Sequence, residues 1–209
     1  MLRHPLYFYK KGIAMKERKL YLIRHGITEG NINKYYYGRT DVSLAPEGIA
    51  KLKEYSEKGI YPRPAPDFVF TSGMQRTEES LSVIYGDTKH LIIEELKELD
   101  FGDYEMRSHE ELMEIAEYSH WFASGSERTG FPGGEELADF GERVMKGYKK
   151  MLIAFDDEGM AVCHGGVISV IMMNCFPDPQ KNMFSWIPEP GRGYVIKLKE
   201  ETAVDWERI

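Results

Sequence analysis

Short apolar runs alternate with amphipathic segments along most of this 209-residue chain. The runs are rich in β-branched and aromatic residues, which predicts strands at residues 20–24, 67–72, 91–96 and 159–164. Apolar positions at helical spacing predict helices at residues 46–58, 74–86, 135–155 and 166–176. A closing strand pair joined by a turn is predicted at residues 193–201 and 203–209. This alternation of strands and helices predicts an α/β fold with a mainly parallel sheet.

The segment 100–134 breaks the regular alternation. It is rich in aromatic residues and glycine, with one helix predicted near residues 108–118. Because it is too long for an ordinary connection, we expect a functional lid or a small cap. The chain therefore divides into a lead, residues 1–17, expected to be disordered or loosely attached, and a single domain at residues 18–209. Met15 in the lead is a candidate for the natural start.

The composition narrows the class of protein. Hydrophobic residues make up 42% of the chain and charged residues 29%, which is typical of a soluble globular protein. The formal net charge of −7 argues against a nucleic acid partner, although a locally basic pocket can still bind a small anion. Cys163 and Cys175 predict buried, reduced thiols rather than a disulfide framework. No apolar run is long enough to span a membrane or form a signal peptide, so we expect a cytoplasmic protein.

A basic group follows the first predicted strand. Arg24 and His25 come where that strand ends, Gly26 allows a sharp turn, and Thr28 and Asn31 follow closely. In open α/β sheets ligands bind at the carboxyl ends of the strands, so this position suits a fixed positive charge beside a nucleophile. Alone, the group is equally consistent with a basic pair on the surface.

A second strand ends in the same way. The apolar run before His164 leads into Gly165 and Gly166, which open a predicted helix whose N-terminus favours anions. A histidine that merely caps the helix is the alternative for this group alone. Two such elements in one domain point to function, because both place an imidazole at the same edge of the sheet.

Two further side chains are candidates for the same edge. Arg76 lies at the start of the helix after the second strand, where its guanidinium could bind phosphate oxygens in a bidentate manner. A solvated helix arginine is the commoner outcome. Glu98 follows the third strand among apolar residues and could serve as a proton donor. The residues themselves do not distinguish it from several neighbouring acids, which include Glu94, Glu95, Asp100 and Asp103.

Together these residues resemble the motif set of the histidine phosphatase superfamily, the phosphoglycerate mutase-like proteins. The first group matches the RHGxTxxN signature of that family. The further matches, in chain order, are Gly38-Arg39-Thr40-Asp41-x-x-Leu44 with Gly48, Ser72-x-x-x-Arg76, Leu96-x-Glu98-x-x-Phe101-Gly102, Pro132-Gly133-Gly134-Glu135 and His164-Gly165-Gly166. The resemblance spans about residues 19–198. The set is specific, although no single motif is.

The resemblance implies a three-layer α/β sandwich with a mostly parallel central sheet and a small cap segment. It implies that His25 is the nucleophile and that Glu98 protonates the leaving oxygen and then activates water. Arg24, Arg76 and a protonated His164 would hold the phosphoryl oxygens. His25 must instead be neutral, with its other ring nitrogen donating to a backbone carbonyl. Accessory substrate contacts are expected at Asn31, the backbone of Gly38, and Gly165.

The expected function is that of a phosphomonoesterase acting on a small phosphorylated metabolite through a phosphohistidine, with no metal ion or cofactor. A phosphoglycerate mutase-type phosphotransferase and a catalytically inactive phosphate-ester binding protein are the alternatives. Candidate substrates run from sugar phosphates and phosphoglycerates to ribazole phosphate. The chain departs from the family pattern at four positions, Tyr37, Met106, Glu136 and Ser169.

Overall fold

The computed structural model of the protein describes residues 17–125 and 129–209. The predicted lead lies outside the described residues, except for Glu17, which begins the first strand instead of belonging to the lead. Met15 also lies outside them. No helix in these two ranges is long and apolar enough to cross a membrane.

A six-stranded sheet forms the centre of the fold. Its strands in chain order are β1 (Glu17–Arg24), β3 (Phe68–Thr71), β4 (Leu91–Ile92), β6 (Glu158–Cys163), β7 (Gly193–Lys199) and β8 (Thr202–Arg208), and a separate two-stranded ribbon consists of β2 (Tyr35–Tyr36) and β5 (Arg107–Ser108). The spatial order in the sheet is β4-β3-β6-β1-β7-β8. The first four are mutually parallel, and β7 and β8 add an antiparallel hairpin, as the sequence predicts.

Both faces of the sheet are covered, which confirms the expected sandwich. The helices are α1 (Glu29–Ile32), α2 (Pro46–Glu57), α3 (Gln75–Tyr85), α4 (His109–Met113), α5 (Ala116–Ala123), α6 (Leu137–Ala154) and α7 (Gly165–Cys175). Side chains of β1 alternate between two apolar clusters: Leu20 and Leu22 pack on one face, and Ile23 on the other. β6 alternates in the same way, with Ala161 and Val162 in opposite clusters. Period-two alternation with apolar residues on both sides is what a strand buried between two layers requires.

Two elements differ from the sequence prediction. The third strand, expected over residues 91–96, is confined to Leu91–Ile92, because the chain turns into a 3-10 helix at Glu94–Leu96 and buries Leu96 in the core. The helix expected near residues 108–118 is split into α4 and α5, with Ile115 in extended conformation between them.

The segment 100–134 packs around its own aromatic cluster. Tyr104 lies between Tyr118 and Trp121, with ring centroids 4.8 and 5.1 Å away, and Trp121 is 5.3 Å from Phe131. The Ser108 hydroxyl caps α4 by accepting from the amide of Glu111. These contacts give the segment local order, although it lies outside the central sheet.

Candidate active site

The predicted groups come together at the carboxyl edge of the sheet. Arg24 is the last residue of β1 and lies opposite Cys163, the last residue of β6. Because these strands are adjacent and parallel, His25 and His164 follow them side by side, with ring centroids 5.3 Å apart. Arg76, the second residue of α3, reaches the same place from the end of β3.

His25 is buried, and its ring has a defined orientation. Its Nδ1 lies 2.7 Å from the carbonyl oxygen of Gly26, which can only accept, so Nδ1 carries the proton. Burial lowers the pKa of His25 well below its usual value, and the charges of Arg76 and Arg24 lower it further. The ring is therefore neutral, with a lone pair on Nε2, as the sequence analysis expected.

Arg24 carries an unused donor. Its Nη1 donates to the carbonyl oxygen of Pro188 at 2.8 Å, whereas its Nε is buried and has no partner among the described residues. A buried N–H of this kind costs free energy unless an acceptor binds to it. Arg24 lines the same cavity as His25. An anion placed there would satisfy the guanidinium, so the residues present suit a phosphate group.

The fully buried Arg76 is held by the protein itself. Its Nε donates to Nδ1 of His164 at 3.2 Å, and its Nη1 and Nη2 donate to the carbonyl oxygens of Thr40 and Gly38. The guanidinium lies 5.1 Å from the ring centroid of Tyr37. These contacts leave part of its donor capacity free, because a guanidinium has five N–H groups.

His164 differs from the expectation of a charged clamp. Its Nδ1 accepts from Arg76, so the proton is on Nε2, which donates to the Ser72 hydroxyl at 2.8 Å. Burial lowers the pKa of His164 well below its usual value, and Arg76, His25 and Arg24 add to the effect. In the absence of substrate the positive charge of the site therefore resides on Arg24 and Arg76.

Because both histidines are neutral in the folded protein, we expect its free energy of unfolding to depend on pH. The pKa values of His25 and His164 are lowered in the fold, so below about pH 6.5 the unfolded chain binds more protons than the folded one. The free energy of unfolding should therefore fall as the pH drops below that value, by up to about 1.4 kcal/mol per pH unit for each histidine. Urea unfolding at about pH 7 and about pH 5.5 measures this difference.

The matched variant is His25→Asn. It removes one of the two neutral imidazoles, so its stability should fall less steeply between the same two pH values. An equal fall in both proteins would show that His25 is not a source of the effect.

The structure distinguishes Glu98 from its acidic neighbours by its contacts and its place in the cavity wall. Its carboxylate accepts from the amide of Leu99 through Oε1 and from the amide of Gly166, at the start of α7, through Oε2, both at 3.0 Å. Among the described residues that line the cavity it is the single carboxylate. The acids that sequence reasoning left open lie elsewhere: Glu94, Glu95, Asp100 and Asp103.

The three positions expected to make accessory substrate contacts differ in where they lie relative to the cavity. Asn31 and Gly165 line the cavity, and the Asn31 side chain accepts from the amide of Thr28 at 3.0 Å. Gly38 does not line the cavity. Its N–H donates to Glu105 at 2.8 Å, and its carbonyl accepts from Arg76. Gly38 thus positions Arg76 in this structure.

Glu105, which sequence reasoning considered only as an alternative acid to Glu98, has a structural role. Its carboxylate accepts from the amides of Gly38, Arg39, Thr40 and Phe101. Burial raises its pKa, but the hydrogen bonds from Thr40, Phe101 and Arg39 outweigh that effect, and the pKa is lowered. No local pattern identifies Glu105, because three of its donors lie 65 to 67 residues away.

Three of the departures from the family pattern also have structural consequences. The Tyr37 hydroxyl accepts from the Thr28 hydroxyl at 2.8 Å, so Tyr37 makes a hydroxyl contact at this position. The Ser169 hydroxyl donates to the carbonyl oxygen of Met183 in the cavity wall at 2.5 Å. Met106 has a φ of 61°, in the left-handed region where glycine is favoured.

The cavity above His25 has a volume of about 790 Å³ and a largely aromatic lining. Its aromatic side chains, apart from His25, belong to Tyr35, Tyr36, Tyr37, Phe101, His109, Phe122, Phe131 and Phe184. Four of them come from the segment 100–134, which therefore lies on the same side of the sheet as His25. Tyr104 and Trp121, two further aromatic residues of that segment, do not line it. Arg192 also lies outside the lining, with its guanidinium 5.1 Å from the ring centroid of Tyr55.

No group of three or more His, Cys, Asp or Glu side chains that could hold a metal ion occurs among residues 17–125 and 129–209. Among the residues that the structure describes, the candidate active site consists of two arginines, two histidines and one carboxylate beside a largely apolar cavity.

Comparisons with known proteins find matches over most of this chain. The sequence profile of the histidine phosphatase superfamily (branch 1) matches residues 20–205. An adenosylcobalamin/alpha-ribazole phosphatase of Salmonella typhimurium is 31% identical over 87% of this chain and 91% of its own length. A 2,3-bisphosphoglycerate-dependent phosphoglycerate mutase of Cytophaga hutchinsonii is 31% identical over 74% of this chain and 76% of its own. The crystal structure of the alpha-ribazole phosphatase from Shigella flexneri superimposes with a TM-score of 0.77 at 27% identity, over 89% of this chain and 93% of that one.

Proposed function

Since the chain belongs to the histidine phosphatase superfamily and is a phosphatase, we propose that it hydrolyses a small phosphate monoester through a phosphohistidine on His25. The observation that carries this proposal is the neutral His25, whose Nδ1 proton is held by Gly26, beside the unpartnered donor of Arg24. This arrangement pairs a nucleophilic lone pair with an anion site in one cavity.

The first step transfers the phosphoryl group. The Nε2 lone pair of His25 forms a bond to phosphorus, and the bond from phosphorus to the ester oxygen breaks. Protonated Glu98 donates its proton to that oxygen, which leaves as an alcohol. Arg24, in the cavity wall, stabilises the charge spread over the equatorial oxygens, and the buried Arg76, which does not line the cavity, adds its positive charge nearby.

The second step regenerates the enzyme. Water attacks the phosphorus of the phosphohistidine, the bond from phosphorus to Nε2 breaks, and inorganic phosphate leaves. The Glu98 carboxylate accepts the proton from the attacking water and is again protonated for the next cycle. His25 returns to its neutral form, with the proton still on Nδ1.

We further propose that the leaving group is bulky, planar and largely apolar. The aromatic side chains in the cavity wall offer faces for stacking, and Glu98 and Arg24 lie at the reacting end. Alpha-ribazole phosphate, suggested by the names of similar phosphatases, is the first candidate substrate. The segment 100–134 supplies much of this wall, so we propose that it selects the substrate.

The alternative function is that of a mutase, in which the phosphohistidine passes its phosphoryl group to an acceptor other than water. A phosphoglycerate carries a carboxylate in addition to its phosphate, and a second phosphoryl group must be held during transfer. Of the described residues that line the cavity, Arg24 and the exposed Lys34 carry permanent positive charge. This small number of cations supports hydrolysis of a monophosphate with an apolar leaving group.

A substrate comparison tests this proposal. Phosphate release should be faster from aryl monophosphates and alpha-ribazole phosphate than from 3-phosphoglycerate, because only the former bury apolar area against the cavity wall. Measuring kcat/KM for each compound, together with interconversion of 3- and 2-phosphoglycerate, gives the comparison. Interconversion that outpaces phosphate release would assign the chain to the mutase alternative.

A further inference from the structure

Arg143 contacts the loop that carries Glu98. It lies in α6, and its Nη1 donates to the carbonyl oxygens of Glu95 and Lys97, both at 2.9 Å. Its Nη2 approaches the carbonyl oxygen of Glu98 itself at 3.4 Å. One guanidinium thus contacts three carbonyl groups in a loop that has left the sheet after β4.

Glu135 holds that guanidinium in place. Its two carboxylate oxygens accept from Nε and Nη2 of Arg143 at 2.8 and 2.7 Å, which is the bidentate geometry that fixes an arginine in both position and plane. The exposed fractions of the two side chains are 19% and 13%, so solvent screens this pair much less than a surface pair.

The backbone around Glu135 is attached to the same loop. The amide of Glu135 donates to the carbonyl oxygen of Asp100 at 3.0 Å. Gly134 packs so closely there that an added Cβ would lie 2.3 Å from the same oxygen. The loop carrying Glu98 is therefore held by Arg143 on one side and by residues 134–135 on the other.

We propose that Glu135 and Arg143 are positioning residues that set the Glu98 carboxylate against the ester oxygen. The proposal rests on the proposed function, in which Glu98 is the proton donor. Neither side chain lines the cavity, so neither touches the reacting atoms. They act through the backbone of residues 95–98, which places the Glu98 side chain where its Oε2 also meets the amide of Gly166.

The dependence of the phosphorylation rate on the leaving group distinguishes a positioning role of Glu135 and Arg143 from a merely structural one. Proton donation matters for an alkyl phosphate and little for p-nitrophenyl phosphate, whose leaving group departs as a stable phenolate. A displaced Glu98 should therefore slow phosphorylation by alkyl phosphates on the order of 10²-fold, and the p-nitrophenolate burst by about 3-fold at most. General loss of folded enzyme would reduce both rates equally.

The variants are Glu135→Gln, which removes the charge and the bidentate pair, and Arg143→Lys, which keeps the charge but loses the planar fork. Lys146→Gln is the matched control, because the exposed Lys146 lies on the same helix and pairs with Glu95 of the same loop at 3.7 Å, without contacting the backbone of residues 95–98. The control should keep both rates. Burst and single-turnover measurements on each folded variant, with circular dichroism as the check on folding, give the comparison.

A double variant completes the test. If Glu135 acts through Glu98, adding Glu135→Gln to Glu98→Gln should change the alkyl phosphate rate by less than about 2-fold, because the acid is already absent. Equal slowing of both substrates in Glu135→Gln and Arg143→Lys, or a full additional loss in the double variant, would overturn the positioning proposal. If Glu98→Gln alone shows no leaving-group dependence, the proton-donor role in the proposed function fails instead.

Discussion

Replacing His25 with alanine is expected to abolish phosphatase activity, with a loss on the order of 10⁶-fold, as is typical when a covalent nucleophile is removed. The expectation follows from the neutral ring, whose Nδ1 proton is held by Gly26 and whose Nε2 keeps a lone pair. No other side chain in the described cavity combines a lone pair with adjacent Arg24 and Arg76. Steady-state assays with p-nitrophenyl phosphate measure the loss, and circular dichroism verifies the fold.

The covalent intermediate gives an independent measurement. Rapid quenching of the wild-type enzyme with labelled substrate should trap phosphate that is labile in acid and stable in base, and peptide mapping should place it on His25. His90→Ala is the control, since His90 pairs with Glu78 outside the cavity and its loss should leave both labelling and turnover unchanged. Label on Ser, Asp or Cys would show that the proposed mechanism is wrong.

Substituting Glu98 with glutamine should have the second-largest effect, and the effect should depend on the substrate. Glutamine keeps the size of the side chain but has no acidic proton to donate to the ester oxygen. General acid catalysis contributes about 10²–10⁴-fold, so turnover of an alkyl phosphate should fall by that factor. With p-nitrophenyl phosphate the formation of phosphohistidine should slow far less, because p-nitrophenolate leaves without protonation.

The burst phase is the decisive measurement for this variant. Hydrolysis of the phosphohistidine also uses Glu98, as the base for water, so the steady-state rate falls with either substrate. Stopped-flow detection of p-nitrophenolate isolates the first step, in which the variant should keep its burst. If both substrates slow equally in that step, Glu98 orients the site and does not donate a proton.

The sequence alone predicts the strand ends on which the site is built. Apolar runs that end in Arg24-His25 and His164 are local patterns, and the rule that parallel strands share one carboxyl edge brings them together. Two predicted elements were wrong in extent, because a two-residue edge strand and a split helix depend on contacts with the rest of the fold.

Apart from the family resemblance, only the tertiary structure distinguishes Glu98 from its acidic neighbours. All five acids lie in one short stretch with similar surroundings in sequence, whereas Glu98 alone reaches Gly166, 68 residues away, at the start of α7. The proton position on His164 likewise depends on the guanidinium of Arg76, which the fold places beside it. The proton position on His25 depends instead on the carbonyl oxygen of the next residue, Gly26. Local periodicity determines which residues point into the core and where each strand ends. Hydrogen bonds between distant segments determine much of which polar group is used at those ends. Gly166, which donates to Glu98, and Arg76, which donates to His164, both come from parts of the chain that only folding brings near.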